Sequence, residues 1–203
     1  MKIYANGCSF VMGQELVDND PLNMNNKKTA WPSQINAHND AWSASSNHAI
    51  ANRTMNYCRN NSVDIVIIGW SSPSRVLTFT QNERNDRLGQ HTIKPTTATD
   101  VWEKYFASGT MHEEWSQNVI ESLYYWLEAN KIMPIFFQSF IRDYKCNVPM
   151  LWEGDSWQSV YAREHDLEID YTKHPNQSSH NWLADYLKQY IDYWYDIHKS
   201  KTS

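Results

Sequence analysis

Three stretches of apolar residues predict the strands of a sheet. The segment 63–69 is a nearly continuous run of Val and Ile that ends at Gly69, and such a run is typical of a strand buried on both faces of a parallel sheet. The segment 131–139 has the same character, and Ile3 and Tyr4 open the chain as a third strand that leads into Gly7. We expect 63–69 to be the central strand.

Between and after these strands, apolar residues recur at helical spacing. Helices are predicted over 45–60, 112–130 and 178–199, and shorter ones over 100–106 and from Trp31, with Pro32 in its first turn. The helix 112–130 is expected to bury one side, formed by Trp115, Val119, Leu123, Trp126 and Leu127. The segments 18–29 and 142–170 are predicted to be loops, and the polar stretch at about 76–100 is interpreted as an insertion.

The alternation of strands and helices predicts an α/β fold. A mainly parallel sheet between two layers of helices, a three-layer α/β/α sandwich, is the arrangement that this order favours. The chain has 203 residues, which is enough for one domain with a substantial core, so we interpret 1–203 as a single domain.

Charge and composition narrow the function. The formal net charge of −5 comes from mixed charges without a basic block, which argues against nucleic acid and against an anionic membrane surface as partners. No apolar run approaches the roughly 20 residues that span a bilayer, and the chain opens as a strand rather than as a signal peptide. We therefore expect a cytoplasmic protein, with Cys8, Cys58 and Cys146 as free thiols. Ten Trp and twelve Tyr are expected to fill the core, with a flat stacking surface for a sugar as the alternative.

The turn after the first strand carries a candidate nucleophile. Gly7 permits unusual backbone angles, and Ser9 follows it at the expected start of a helix. A serine nucleophile needs a base, usually a histidine oriented by a carboxylate. His174 lies in the turn before the last helix, and Asp170 is four residues before it. The alternatives are an ordinary strand-to-helix turn at Ser9 and a turn or capping role for His174.

Other titratable residues are interpreted as structural. His180, near the first turn of the last helix, and Arg75, after the central strand, are expected to make packing or ion-pair contacts. His112-Glu113-Glu114 and His165-Asp166 are isolated pairs without a third ligand at a recognised spacing. No metal and no other cofactor is expected.

Four short blocks, in order, resemble those of the SGNH (GDSL-like) hydrolases. Gly7-Cys8-Ser9-Phe10 is similar to the family's Gly-Asp-Ser turn, and Ala44-Ser45-Ser46-Asn47 to its second block. Gly69-Trp70-Ser71-Ser72 follows the central strand where the family has Gly-x-Asn-Asp, and His174-Pro175-Asn176 is similar to its last block. The resemblance is strongest to a viral and bacterial branch with Gly-Cys-Ser-Phe and Gly-Trp-Ser blocks, and it implies a flavodoxin-like sheet.

The resemblance also implies roles for residues. Ser9 would be the nucleophile and His174 the general base, and the backbone N–H groups of Ser9 and Ala44 would hold the oxyanion together with a side chain of the third block. Three positions depart from the family's pattern. Ala44 replaces a glycine of the second block. Ser71 replaces an asparagine that would donate to the oxyanion, and Asn47 or Ser46 could donate in its place. Tyr171 occupies the position of the family's aspartate, so Asp170 is one residue out of register.

The expected function is a serine esterase of SGNH type. It would remove a small acyl group, such as acetyl, from a polar substrate such as a carbohydrate, through an acyl-enzyme on Ser9. The alternative is a carbohydrate-binding or virion-associated structural protein of the same fold with an impaired site, and a weaker one is an acyltransferase. A viral protein in the host cytoplasm is one setting that the phage-like blocks suggest.

Overall fold

The computed structural model describes residues 1–17, 23–73, 111–140, 146–169 and 173–202, and five parallel strands form a sheet within these ranges. They are β1 (Ile3–Gly7), β2 (His38–Asn39), β3 (Ile65–Trp70), β4 (Met133–Gln138) and β5 (Leu151–Ser156). The strands lie in the order β2-β1-β3-β4-β5, so the predicted central strand is in the middle.

Strand β3 separates two hydrophobic cores. All six of its residues are buried, and successive side chains point to opposite faces of the sheet. Ile65 and Ile67 therefore join one core, and Val66 and Ile68 join the other. Each such side chain contributes about 1.5–3 kcal/mol to folding when it leaves water. This double burial explains why the strand reads as a continuous apolar run.

Helices cover both faces of the sheet, which confirms the predicted three-layer α/β architecture. The helices of the described ranges are α1 (Ser9–Met12), α2 (Met24–Thr29), α3 (Trp31–Gln34), α4 (Asn47–Asn60), α5 (Met111–Ala129), α6 (Trp157–Glu164) and α7 (Gln177–Thr202). One core holds buried side chains of α1, α3, α6 and α7, including Phe10, Trp31, Trp157 and Leu183. The other core holds side chains of α4 and α5.

Several predicted loops contain regular structure instead. Helix α2 lies within 18–29, where the side chain of Asn23 accepts a hydrogen bond from the N–H of Asn25 and so caps the helix. Strand β5 and helix α6 lie within 142–170. Strand β5 is an edge strand whose Glu153 and Gly154 are exposed, and its pairing with β4 is irregular, so it lacks an alternating apolar pattern. The two residues of β2, at the expected end of α3, were also not predicted.

The buried side of α5 agrees with the prediction except at Trp115. Leu123 and Leu127 are buried, and Val119 and Trp126 are partly buried against the same core. Trp115 is 44% exposed, whereas Ile120, which the prediction left out, is fully buried.

Helix α7 carries a row of contacting aromatic rings along one side. Trp152 of β5 stacks on Trp182 with 5.7 Å between ring centroids, and Trp182 contacts Tyr186 at 5.8 Å. The row continues from Tyr186 to Tyr190 at 6.5 Å and from Tyr190 to Trp194 at 6.1 Å. Part of the aromatic content is therefore used at the margin of the core rather than inside it.

Some predictions fall on residues outside the described ranges: the insertion at 76–100, the helix 100–106, Arg75, Asp170 and Tyr171. Among the described helices, none combines the length and the apolar character that crossing a membrane requires. All three cysteines are free, and burial raises the pKa of Cys58 to about 11 and that of Cys146 to about 12.

Candidate functional site

Ser9 lies where β1 turns into α1, at the carboxyl edge of the sheet. Strand β1 ends at Gly7, Cys8 is extended, and Ser9 is the first residue of α1 and 3% exposed. A Cβ on Gly7 would lie 2.4 Å from Cγ2 of Val11 and 2.7 Å from the carbonyl oxygen of Gly69. Only glycine fits there, because α1 folds back tightly on the strand ends.

The end of β3 lies beside this turn. Gly7 and Gly69 are register partners, so the residues that follow both strands leave the sheet at the same edge. A Cβ on Gly69 would lie 2.5 Å from Cγ2 of Val11, so the same valine side chain covers both glycines. Ser71, two residues after Gly69, is 3% exposed. The first and third sequence blocks are thus adjacent in space.

The second block joins this edge through the backbone of residues 42–46. The N–H of Trp42 donates to the carbonyl oxygen of Gly7 at 3.3 Å, and Ser45 Oγ donates to the carbonyl oxygen of Trp42 at 2.8 Å. Ala44 has φ 57°, which is a left-handed conformation that favours glycine. Ala44 thus has a backbone conformation that suits glycine, the residue that the SGNH family has at this position.

Asn47 ties the second block to the third. Its Nδ2 donates to the carbonyl oxygen of Ser71 at 3.1 Å and to Oγ of Ser116, and its Oδ1 accepts from the N–H of Ser71 at 2.8 Å. Both N–H bonds of the amide are therefore in use in this conformation. Ser46 is similarly engaged, because its Oγ accepts from the N–H of Ala49 and caps α4. The contacts of Asn47 fix the position of Ser71.

A buried network of hydrogen bonds connects the second block to β1 and α4. Asn6 is fully buried, and its Nδ2 donates to Thr54 Oγ1 and to the carbonyl oxygen of Ile50, both at 3.1 Å. Nη2 of Arg53 donates to Asn6 Oδ1 at 3.1 Å and to Ser45 Oγ at 2.9 Å. Burial lowers the pKa of Arg53, and the nearby Asp40 carboxylate opposes that shift. The network links β1 and α4 to the loop that carries Ala44.

His174 reaches the same region from the segment before α7. Its ring meets the ring of Phe10 edge-on, with 5.3 Å between centroids, so the histidine packs on the residue next to Ser9. Its Nδ1 atom is buried and lies 3.0 Å from Oε1 of Glu15, within ion-pair distance although outside the angles of a hydrogen bond. Asp170, the predicted partner of His174, lies outside the described residues, and Glu15 was not among the predicted site residues.

His180 is a buried neighbour of the site. It is fully buried, and its Nδ1 accepts from the N–H of Trp31 at 3.2 Å, which places the proton of the neutral ring on Nε2. Burial, with a smaller contribution from His174, lowers the pKa of His180 to about 3. The ring is therefore neutral at physiological pH and joins α7 to α3, in agreement with the structural role expected for it.

The described side chains include no group of three or more His, Cys, Asp or Glu placed to hold a metal ion. The arrangement at the edge of the sheet offers instead a serine, an imidazole, a carboxylate and several backbone N–H groups. These groups are suited to acyl transfer through a covalent intermediate.

Comparisons with known proteins identify the fold. No protein-family model matches the chain, and no curated protein sequence matches it significantly. The psychrotrophic esterase EstA from Pseudoalteromonas sp., solved in a form inhibited by monoethylphosphonate, superposes with a TM-score of 0.53 at 11% identity, over 96% of this chain and 98% of that one. A protein assigned as an acylhydrolase from Bacteroides fragilis NCTC 9343 gives 0.52 at 12% identity, over 96% and 88%.

A GDSL-like lipase from Bacteroides thetaiotaomicron VPI-5482 covers 94% of this chain and 87% of its own at 14% identity, with a TM-score of 0.48. This chain therefore shares the fold of the EstA esterase and of the Bacteroides fragilis protein, in agreement with the α/β fold that the sequence predicted.

Proposed function

We propose that this chain is a serine ester hydrolase of SGNH type, with Ser9 as the nucleophile and His174 as the general base. The observation that supports the proposal is the contact between the rings of His174 and Phe10, since Phe10 is the residue after Ser9 in α1. The fold that this chain shares with the EstA esterase and with the protein assigned as an acylhydrolase supports the same reaction class.

The proposed reaction has two balanced steps. Ser9 Oγ forms a bond to the ester carbonyl carbon while Nε2 of His174 takes its proton, and that proton passes to the leaving alcohol as the ester bond breaks. Water then attacks the acyl-enzyme, gives one proton to His174 and releases the acid, and the proton returns to Ser9. No cofactor takes part.

The oxyanion would be held by the N–H groups of Ser9 and Ala44 and by the hydroxyl of Ser71. Ala44 supports this role because its left-handed φ is the one that a glycine would take there. Asn47 contributes by holding Ser71 through two hydrogen bonds. One donor of this kind is typically worth about 10² to 10³ in kcat.

The substrate that we propose is a short acyl ester, such as an acetyl ester, of a polar alcohol that includes carbohydrates. The ten Trp and twelve Tyr of the chain are side chains whose rings suit the flat faces of a sugar. This substrate class follows the sequence resemblance and is open to a direct assay on acetylated sugars.

The test is hydrolysis of p-nitrophenyl acetate by the wild type, by Ser9→Ala and by Ser122→Ala. The Ser9→Ala variant should lose about 10³-fold or more in kcat, because a triad fails when its nucleophile is removed. Ser122 is exposed on α5, and its substitution is the matched control that should leave the rate unchanged. Activity that survives in Ser9→Ala would exclude Ser9 as the nucleophile.

A second function, ligand binding without turnover, is favoured by the hydrogen bonds of Asn47. Both N–H bonds of the Asn47 amide are used, so Asn47 cannot also donate to an oxyanion in this conformation. The third block then has only the shorter Ser71 side chain at the position where the SGNH family has an asparagine donor. A fluorophosphonate probe separates the two functions. Labelling of the wild type and not of Ser9→Ala supports the hydrolase, whereas absence of labelling with retained sugar binding supports the binding protein.

A further inference from the structure

The turn after α1 brings a carboxylate back towards the nucleophile. Helix α1 ends at Gly13 with φ 81°, and the N–H of Gln14 donates to the carbonyl oxygen of Ser9 at 3.1 Å. Glu15 follows with φ 70°, a conformation that costs a residue with a Cβ about 1–2 kcal/mol. The chain thus reverses within six residues of Ser9 and leaves Glu15 facing the segment before α7.

His174 receives that carboxylate on its Nδ1 side. The distance from Nδ1 to Oε1 of Glu15 is 3.0 Å, and the side chains are 19% and 38% exposed. The Nδ1 atom itself is buried, and a buried ring N–H without a partner is costly. Glu15 is an acceptor within reach, and a small rotation of either side chain would align the bond.

We propose that Glu15 is the positioning residue that orients His174 for catalysis, which places the carboxylate in the turn after the nucleophile. This inference rests on the proposed function. By accepting from Nδ1–H, Glu15 would hold the neutral imidazole in the tautomer that leaves the Nε2 lone pair for Ser9. The same carboxylate would stabilise the imidazolium that forms when Ser9 loses its proton.

The segment 9–15 contacts the ring of His174 on two sides. Phe10 contacts the ring of His174, and Glu15 lies at its Nδ1. Ser9, Phe10 and Glu15 belong to seven consecutive residues. The positions of nucleophile and base are therefore set by the same turn.

The test compares Glu15→Gln, Glu15→Asp and Asp170→Asn, with Glu113→Gln as the charge-matched control on the exposed first turn of α5. In Glu15→Gln, kcat for p-nitrophenyl acetate should fall by about 10²-fold or more with little change in KM. Glu15→Asp should recover part of the rate, Asp170→Asn should lose less than Glu15→Gln, and Glu113→Gln should stay within about threefold of the wild type. A large loss in Asp170→Asn together with a small one in Glu15→Gln would overturn the proposal.

A second readout does not depend on turnover. ¹⁵N NMR of the imidazoles should show His174 with its proton on Nδ1 in the wild type and a mixture of tautomers in Glu15→Gln. Identical spectra would also overturn the proposal. If the wild type neither hydrolyses esters nor reacts with a fluorophosphonate, the proposed function fails, and the tautomer shift still decides whether Glu15 orients His174.

Discussion

Single residues at the site adopt conformations that their side chains disfavour. Ala44 and Glu15 both have left-handed backbone angles, at φ 57° and 70°. Such angles persist in folded proteins only where the surroundings enforce them, and they are concentrated at functional sites. Ala44 lies in a loop held by hydrogen bonds from Trp42 and Ser45, and those contacts maintain its conformation.

Ala44→Gly should therefore raise the free energy of unfolding. Removal of the Cβ relieves about 1 kcal/mol of backbone strain, which exceeds the entropy that glycine adds to the unfolded chain. Ala162→Gly, within α6, is the matched control and should lower the free energy of unfolding by about 1 kcal/mol. Urea denaturation measures both. A decrease at Ala44 comparable to that at Ala162 would show that the left-handed angle carries no strain.

At the scale of elements, the contact between α1 and the ends of β1 and β3 positions Ser9. The side chain of Val11 fills the space above Gly7 and Gly69, and a Cβ at either glycine would overlap it. The position of Ser9 is therefore set by close packing of a helix on two strand ends rather than by a hydrogen bond of its side chain.

Gly7→Ala should lower the free energy of unfolding by about 1–3 kcal/mol, since the added methyl group overpacks this contact. In the Val11→Ala background the same change should cost less, because Cγ2, the nearest atom, is gone, although the carbonyl oxygen of Gly69 at 2.7 Å and Cβ of residue 11 at 2.9 Å remain. Gly154→Ala, which meets no heavy atom within 4 Å, is the control and should show no coupling to Val11. Additive effects of Gly7→Ala and Val11→Ala would contradict the packing argument.

The elements also show what the sequence could predict. The strands at β1, β3 and β4 and the helices α4, α5 and α7 were predicted because continuous burial or one buried side leaves a pattern. Strand β5 left none, because Glu153 and Gly154 are exposed on the sheet edge. Glu15 and His174 are distant in sequence, and no residue pattern predicts the left-handed backbone of Glu15. Their contact could therefore be found only in the structure.

Across the whole molecule, His180 connects three elements that pack on one face of the sheet. Its Nδ1 accepts from the backbone of Trp31 in α3, and its ring meets that of Trp157 in α6 edge-on. Because burial lowers its pKa to about 3 in the folded state, against 6.5 when unfolded, the unfolded chain binds the proton first as the pH falls. The stability that depends on a neutral His180 is present above pH 6.5 and is lost progressively between pH 6.5 and 3.

The wild type should therefore lose about 2 kcal/mol of unfolding free energy from this residue between pH 6.5 and 5. His180→Gln retains an acceptor for the N–H of Trp31 but cannot be protonated in this range, so its stability should fall less over the same interval. Urea denaturation at the two pH values measures the difference. Equal losses in the two proteins would show that His180 does not control the acid sensitivity of the fold.

The row of rings along α7 has an optical consequence. Trp152 and Trp182 lie nearly parallel at 5.7 Å, and Tyr186, Tyr190 and Trp194 continue the contacts at 5.8 to 6.5 Å. At such separations the electronic transitions of the rings couple, and light absorbed by the tyrosines is transferred to the neighbouring indoles. The near-ultraviolet circular dichroism of the protein should therefore contain a contribution from this row, and that contribution should be lost when the last helix leaves the sheet.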